Sequence, residues 1–245
     1  METVLMVGGY HDPVPVRADE LREALHRNCE CKRIDSVLMF VEDEWESFTR
    51  AVKNVPEYHH EKVQLLETGV RMTYDQYFRF ASRAPGTRFI VANSDIAFDE
   101  TLAALDRIDW KDTLVCLSRT EPDGRPPEWC PGQRWADNSQ DAWVFRSPLK
   151  PFRCDWKLGV EGCDNVLAYE AAQAGLYILN PWYDVKAWHL HESKLRRNFV
   201  RRDGVPSGPH WLVPRSRIAA REPLNSHDVQ RYGARTGLDI GRVGE

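Results

Sequence analysis

Segments of strand character alternate with helical segments along the first three-quarters of the sequence, and this alternation constrains the fold more than any other feature. Residues 3–8 and 88–92 are short apolar runs typical of buried strands, whereas residues 17–28 place Leu21 and Leu25 about one helical turn apart. Strands and helices at this spacing predict an α/β fold with a mostly parallel sheet covered on both faces. In such sheets, ligands bind beyond the carboxyl ends of the strands.

Later segments extend the same pattern. Tyr74, Tyr77, Phe78 and Ala81 have the spacing of a core-facing helix, which Thr73 would cap. Further strands are predicted at residues 34–41, 63–66, 114–117, 142–145, 176–179 and 185–191, and further helices near Asp99 and from Cys163 to a C-cap at Gly175.

A single folded body with an extension suits a chain of 245 residues, 42% apolar and 29% charged, because these fractions are those of ordinary globular domains. No apolar run approaches the roughly 18 residues that a membrane span needs, so we expect a cytoplasmic protein. The six cysteines lack CxxC spacing, which favours reduced thiols over a zinc knuckle or a disulfide framework.

The net charge of −4 is unevenly distributed. Residues 194–245 hold eleven Lys or Arg against five Asp or Glu, a net charge of +6, which leaves −10 on residues 1–193. We therefore divide the chain into a body, residues 1–193, and a basic C-terminal extension, residues 194–245, whose Pro- and Gly-rich run 204–209 suits a linker or lid. Phosphates, an anionic membrane surface or the body itself would attract this extension. Nucleic acid is not an expected partner, because no recognition module accompanies the charge.

Asn93, Ser94 and Asp95 follow the predicted strand at residues 88–92. Oxygen-bearing side chains at positions i and i+2 of a strand end point to the same side and can reach one divalent cation with its attached diphosphate. The alternative is an ordinary strand-to-helix turn that uses Asn and Asp for their turn chemistry.

His189 and His191 form a second pair at i and i+2, on the last predicted strand. Their rings would lie on one face and could complete a mixed oxygen and nitrogen metal site if this strand lay beside the Asp95 strand. A histidine pair on a solvent-exposed strand end is the alternative.

Two polar clusters lie next to apolar segments: residues 139–141 precede a strand, and residues 162–165 begin a helix. Asp164 at a helix start would be a cap worth about 1 kcal/mol, or else a carboxylate that orients or deprotonates a sugar hydroxyl. The glycine before it leaves room for a ligand near the backbone.

In this order, the fragments resemble a GT-A glycosyltransferase-like family of bacteria and large DNA viruses. The resemblance spans roughly residues 3–200 and rests on residues 71–74, VANSDIAFDETL (91–102), LSRT (117–120), SQDAWVF (139–145), GVEGCDN (159–165), residues 180–181, HLHES (189–193) and Arg196. It implies a GT-A, Rossmann-like sheet flanked by helices and transfer of a hexosyl group from a nucleotide-diphosphate sugar to the hydroxyl of a saccharide or other acceptor. It also implies Mn²⁺ or Mg²⁺ as cofactor and a place in polysaccharide biosynthesis.

The resemblance also assigns roles to residues. Asp95 would bind the metal together with His191 or His189, and Asn93 stands where many GT-A enzymes have aspartate. Asp164 would act on the acceptor hydroxyl if the enzyme inverts, while Asp141 and Gln140 would hold sugar hydroxyls. The candidate donor-binding residues are Gly8, Arg17, Arg71, Tyr74, Asn93, Ser94, Gln140, Asn165 and Arg196. A basic side chain of the extension, such as Lys194, Arg196 or Arg197, would help to stabilise the departing diphosphate.

Two alternative functions fit the same signals. A nucleotidyltransferase shares the α/β sheet and the metal-bound phosphates, but it opens with a Gly-rich loop that carries Arg and Lys, whereas the first Arg or Lys after Gly8 and Gly9 is Arg17. A non-catalytic nucleotide- or carbohydrate-binding module is the other alternative, favoured if Asn93 prevents metal binding.

Overall fold

The structure, a computed structural model, describes residues 1–127, 139–160, 162–192, 213 and 215–218. Their strands are β1 (Thr3–Gly9), β2 (Ser36–Val41), β3 (Val63–Glu67), β4 (Arg88–Ala92), β5 (Ile96–Phe98), β6 (Thr113–Leu117), β7 (Ala142–Arg146), β8 (Tyr177–Leu179) and β9 (Ala187–His189). The α-helices are α1 (Pro15–Glu30), α2 (Trp45–Val52), α3 (Tyr74–Ala81) and α4 (Cys163–Gln173), and Pro56–His59 and Glu100–Arg107 form 3-10 helices.

Seven strands form one sheet in the order β3-β2-β1-β4-β7-β6-β8, and β5 pairs with β9 in a small second sheet. Six strands of the large sheet run in the same direction, while β7 is antiparallel to both of its neighbours. The predicted α/β class with a mostly parallel sheet is confirmed. The reversal of β7 brings its first residues to the edge where β4 and β6 end.

Successive side chains of a strand point to opposite faces of the sheet, and both faces of the large sheet carry buried apolar side chains. Helices therefore cover both faces. Val4 and Met6 pack with residues of α3 and α4 in one core cluster. Leu5 and Val7 pack with residues of α1, α2 and the 3-10 helix Glu100–Arg107 in the other. The structure has a 3-10 helix where the sequence predicts helical structure near Asp99, and the Asp99 carboxylate accepts a hydrogen bond from Thr101 N at 2.8 Å.

The predicted cap and apolar stripe of α3 are confirmed. Thr73 Oγ1 accepts a hydrogen bond from Gln76 N, and the Gln76 side chain accepts one from Thr73 N, so the two residues form a capping box. All four residues of the stripe are buried. Tyr74 has no exposed surface and packs edge-to-face against Trp143, with ring centroids 4.8 Å apart.

Part of the basic extension packs against the body. Val213 is 2% exposed and belongs to the core cluster of α3 and α4. The side chain of fully buried Asn180 donates to Val213 O at 3.2 Å, and Asn180 O accepts from Ser216 N at 2.7 Å. Ile218 N donates to Asp184 Oδ2 at 2.6 Å. The predicted linker or lid at residues 204–209 and the predicted phosphate contacts Lys194, Arg196 and Arg197 lie outside the described residues.

Five of the six cysteines are free and buried, and Cys130 lies outside the described residues. None of the helices described is both long and apolar enough to cross a membrane.

The contacts of Val213 and Ser216 predict different stabilities for two shortened chains. A chain that ends at Leu212 loses the burial of Val213 and two partners of Asn180, whereas a chain that ends at Ile218 keeps them. We expect the shorter chain to be less stable by about 2 kcal/mol or more, which lowers the melting temperature by about 4–8 °C at this size. Differential scanning calorimetry measures the difference, and equal melting temperatures would contradict the docking.

Candidate active site

Polar side chains converge at one edge of the large sheet, beyond the carboxyl ends of β4 and β6. The turn after β4 contributes residues 93–95, the segment after β6 contributes residues 118–121, and residues 139–141 precede the antiparallel β7. The first turn of α1, the start of α4 and the end of β9 add the remaining groups. This is the edge at which α/β sheets bind their ligands.

The carboxylate of Asp95, which is 7% exposed, lies at the centre of the metal-ligating candidates. Its Oδ2 atom is 3.4 Å from His189 Nε2 and 3.5 Å from His191 Nδ1. The same oxygen accepts a hydrogen bond from Arg17 Nη2 at 2.6 Å. Three side chains from two other parts of the chain therefore meet at this carboxylate.

Pairing between β5 and β9 brings the histidines to Asp95. Ile96, the residue after Asp95, pairs with His189, and Leu190 N donates to Asp95 O at 2.9 Å. The two imidazole rings lie on one face with centroids 5.3 Å apart. The last strand lies beside the Asp95 segment as the sequence suggests, but it is antiparallel to β5 and belongs to the small second sheet.

The charges around Asp95 compensate for its burial. Burial by itself raises the pKa of this carboxyl, but hydrogen bonds from both histidines and the charges of His189 and Arg17 hold it well below its ordinary range. Burial lowers the pKa of His189, but hydrogen bonds to Asp95 and Glu121 outweigh it and raise that pKa to about 9. Without a bound ion, Asp95 is therefore ionised and faces two cations at neutral pH.

The three ligand atoms fit a divalent cation. Ligand atoms that bind one ion at about 2.0–2.2 Å lie roughly 3–3.5 Å apart. The two Asp95–histidine distances match this range, and all three ligand atoms lie within 4.8 Å of one another. One carboxylate and two imidazoles form a donor set suited to Mn²⁺-like or softer ions.

The side chains of Asn93 and Ser94 donate hydrogen bonds to groups other than Asp95 and the two histidines. Asn93 Nδ2 donates to Asp141 Oδ1 at 2.8 Å, and Ser94 Oγ donates to the carbonyl oxygen of Gly8 at 2.7 Å. The predicted role of Asn93 as a metal ligand therefore stays a prediction. Its observed side-chain partner lies on the side of the site that carries Asp141.

Sequence reasoning assigned no role to Arg119 and Glu121, although both follow a buried strand. Glu121 Oε2 is 3.4 Å from His189 Nδ1, and this hydrogen bond holds the pKa of Glu121 down at about 2. Arg119 Nε donates to Glu121 Oε1 at 2.8 Å, and Arg119 Nη1 lies 3.8 Å from Asp141 Oδ2. Their position directly after β6 is the signal that could have identified them.

Gln140 connects two further carboxylates, because Asp141 follows it in the chain and Asp164 contacts its backbone. Besides its bond from Asn93, Asp141 accepts from Ser139 Oγ at 2.8 Å. Asp164 Oδ2 accepts from the backbone N–H of Gln140 at 3.0 Å. Gly162, at a left-handed φ of 76°, is the N-cap of α4, so Asp164 lies inside the first turn of the helix rather than at the cap.

Burial raises the pKa of Asp164 to about 7, and the nearby charge of Asp141 adds to the rise, whereas the hydrogen bond from Gln140 opposes it. The carboxyl is thus partly protonated at neutral pH. A group with such a pKa can both accept and donate a proton near neutrality.

The other residues predicted to contact the donor lie in different parts of the structure. Gly8, the residue before the last one of β1, lies against Glu42, whose carboxylate a Cβ at Gly8 would strike, and Arg71 Nε donates to that carboxylate at 3.1 Å. Tyr74 lies in the core and has no exposed surface. Asn165 is partly buried on α4. Arg196 lies outside the described residues.

No protein-family model and no curated protein matches the sequence. Among solved structures, the chain is similar to the mannosyltransferase PcManGT from Pyrobaculum calidifontis in complex with GDP-Man and Mn²⁺, with 19% identity and a TM-score of 0.52. It is also similar to residues 1–349 of S. aureus TarS in complex with UDP-GlcNAc, with 13% identity and a TM-score of 0.51. GalNAc-T7 with UDP, GalNAc and Mn²⁺ is a third, with 9% identity and a TM-score of 0.50.

The alignments cover 77%, 81% and 83% of this chain but only 56%, 60% and 46% of the three solved chains. The protein thus spans about half of the length of the structures that it resembles. At these identities the similarity shows the fold, which is the GT-A arrangement of a Rossmann-like sheet flanked by helices.

The raised pKa of Asp164 predicts that Asp164→Asn changes the pH dependence of stability. Between about pH 4 and 7 the folded state keeps a proton that the unfolded state releases, so the parent loses stability as the pH rises through this range. Asn cannot ionise, yet its side-chain oxygen can still accept from Gln140 N. We expect the variant to gain about 1–3 kcal/mol relative to the parent between pH 5 and pH 8.

Urea denaturation at several pH values measures this difference, and Asp155→Asn, at an exposed carboxyl, is the control. A constant difference between variant and parent at all pH values would contradict the raised pKa.

Proposed function

We propose that the chain is a divalent-metal-dependent glycosyltransferase that moves a sugar from a nucleotide diphosphate to an acceptor hydroxyl. The observation that carries the proposal is the cluster of Asp95, His189 and His191 at the ligand-binding edge of a GT-A sheet. A nucleotide or nucleotide sugar is named with each of the three similar structures, and Mn²⁺ with two of them.

The residues around Asp95 suit the donor. A nucleoside diphosphate gains negative charge as it leaves the sugar, and a divalent cation supplies the charge that stabilises it. In the proposed function Asp95, His189 and His191 hold this cation, while Glu121 orients the His189 ring through Nδ1. Two imidazoles favour Mn²⁺ over Mg²⁺, which prefers ligands that are all oxygen.

The acceptor would bind near α4. Asp164 has a pKa suited to taking a proton from a hydroxyl near neutral pH, whereas Asp141 is held by Asn93 and Ser139 and suits hydrogen bonds to a sugar. We therefore assign the base to Asp164 and the orienting role to Asp141 in an inverting reaction. A hexosyl donor, a saccharide acceptor and a cytoplasmic place in polysaccharide biosynthesis complete the proposal.

A thermal-shift screen of UDP-, GDP- and dTDP-sugars with and without Mn²⁺ tests the donor site. A ligand at a hundredfold excess over its dissociation constant stabilises the folded state by about 2.7 kcal/mol. We expect at least one donor to raise the melting temperature of the parent only with Mn²⁺, and Asp95→Asn to lose that shift.

The matched control is Asp75→Asn, which removes a carboxylate paired with Arg79 on α3 and should keep the shift. A donor shift that Asp95→Asn retains with unchanged metal dependence would refute the metal assignment.

Asp164→Asn also tests the acceptor base. The substitution keeps the shape of the side chain but removes its basicity, and loss of a general base commonly slows a reaction by about 10²–10⁴-fold. We expect parental donor affinity and a transfer rate at least about a hundredfold lower. The measurement is the initial rate of sugar transfer at saturating donor.

Asp141→Asn, which keeps an acceptor for Asn93, is the comparison for this experiment. If Asp141→Asn abolishes transfer while Asp164→Asn remains near the parental rate, the base is Asp141.

A further inference from the structure

Arg17 donates a hydrogen bond to Asp95 Oδ2, the carboxylate oxygen of the candidate metal site. Its side chain, in the first turn of α1, is buried, and the residue is 7% exposed. Nη2 donates to Asp95 Oδ2 at 2.6 Å, and both histidines approach this same atom. Nη1 donates to Glu20 Oε2 at 2.8 Å and to Leu190 O at 3.4 Å.

A cation held by Asp95 Oδ2 would lie close to the guanidinium. Arg17 stays charged at every relevant pH, so a metal ion and this side chain repel each other strongly at such a short separation in a buried site. The positive charge of Arg17 in turn balances the negative charge of the buried Asp95 carboxylate. Arg17 and a divalent cation are therefore alternative partners of one oxygen.

We propose that Arg17 competes with the divalent cation for Asp95 Oδ2 and that, once displaced, it binds the diphosphate of the donor. The two contacts of Nη1 do not involve Asp95, so Arg17 can swing Nη2 away from Oδ2 while Glu20 still holds the side chain. The anionic diphosphate then replaces Asp95 as the partner of the guanidinium. This inference rests on the proposed function and adds a coupling between metal binding and donor binding.

The consequence is that metal and diphosphate bind cooperatively. Metal alone binds weakly because it must displace Arg17, and diphosphate tightens metal binding because it gives Arg17 a new partner. By linkage, the metal tightens diphosphate binding by the same factor. Through Arg17, the affinity for the metal therefore depends on whether the donor is bound.

Isothermal titration calorimetry of Mn²⁺ alone, and of inorganic pyrophosphate with Mn²⁺ present, tests the proposal on the full chain. Arg17→Met removes the charge and keeps an unbranched side chain. We expect it to bind Mn²⁺ about tenfold more tightly than the parent and Mn²⁺–pyrophosphate about tenfold more weakly. The control is Arg22→Met on the same helix, at an exposed arginine paired with Asp19, and it should match the parent in both titrations.

The outcomes separate this inference from the proposed function. If the parent binds Mn²⁺ through Asp95 but Arg17→Met binds it no more tightly, the competition is refuted and the metal site stands. If neither the parent nor Arg17→Met binds Mn²⁺ with or without pyrophosphate, the metal site and the competition both fail.

A structure of the parent protein with Mn²⁺ and pyrophosphate gives an answer even if Arg17→Met does not fold. The competition predicts that Arg17 Nη2 has left Oδ2 and contacts a phosphate oxygen. An Nη2 atom still bonded to Oδ2 beside a bound ion would overturn it.

Discussion

The buried carboxylate of Asp95 imposes the constraint on which the candidate site depends. An ionised group that is 7% exposed needs charged partners, and Arg17 from α1 and His189 from β9 supply them. These partners come from α1 and from the small second sheet, so the carboxylate joins both elements to the end of β4. The interaction that stabilises the carboxylate thus also assembles the groups that suit a metal ion.

A chain of polar contacts joins the two halves of this site. His189 bridges Asp95 and Glu121, and Arg119 links Glu121 to Asp141. Asn93 bonds to Asp141 and so connects the turn after β4 with the start of β7. The group around Asp95 and the group around Asp141 therefore belong to one network of polar contacts, in which the side chains hold one another in place.

The sequence alone predicted the layers of the fold and several of the residues that meet in the candidate site. Its periodicities locate the strands and the buried stripe of α3, because burial on one or both sides of an element leaves a repeating pattern of apolar residues. The rule that ligands bind beyond strand ends led to Asp95, and the polar clusters beside apolar segments led to Asp141 and Asp164. Arg119 and Glu121 directly follow β6 and satisfy the same rule, but their partners Asp141 and His189 lie about 20 and 70 residues further along the chain, so their sequence surroundings do not show what they contact.

Only the tertiary structure decided which of these groups share partners. The antiparallel direction of β7, the separate pairing of β5 with β9 and the docking of Val213 depend on contacts between distant residues, and local patterns carry no record of them. Asn93 and Asp95 illustrate the limit, since two positions on one strand end bond to different sides of the site. Sequence determined which elements form, through burial; the packing of those elements determined that Arg17, His189 and His191 meet at one carboxylate oxygen.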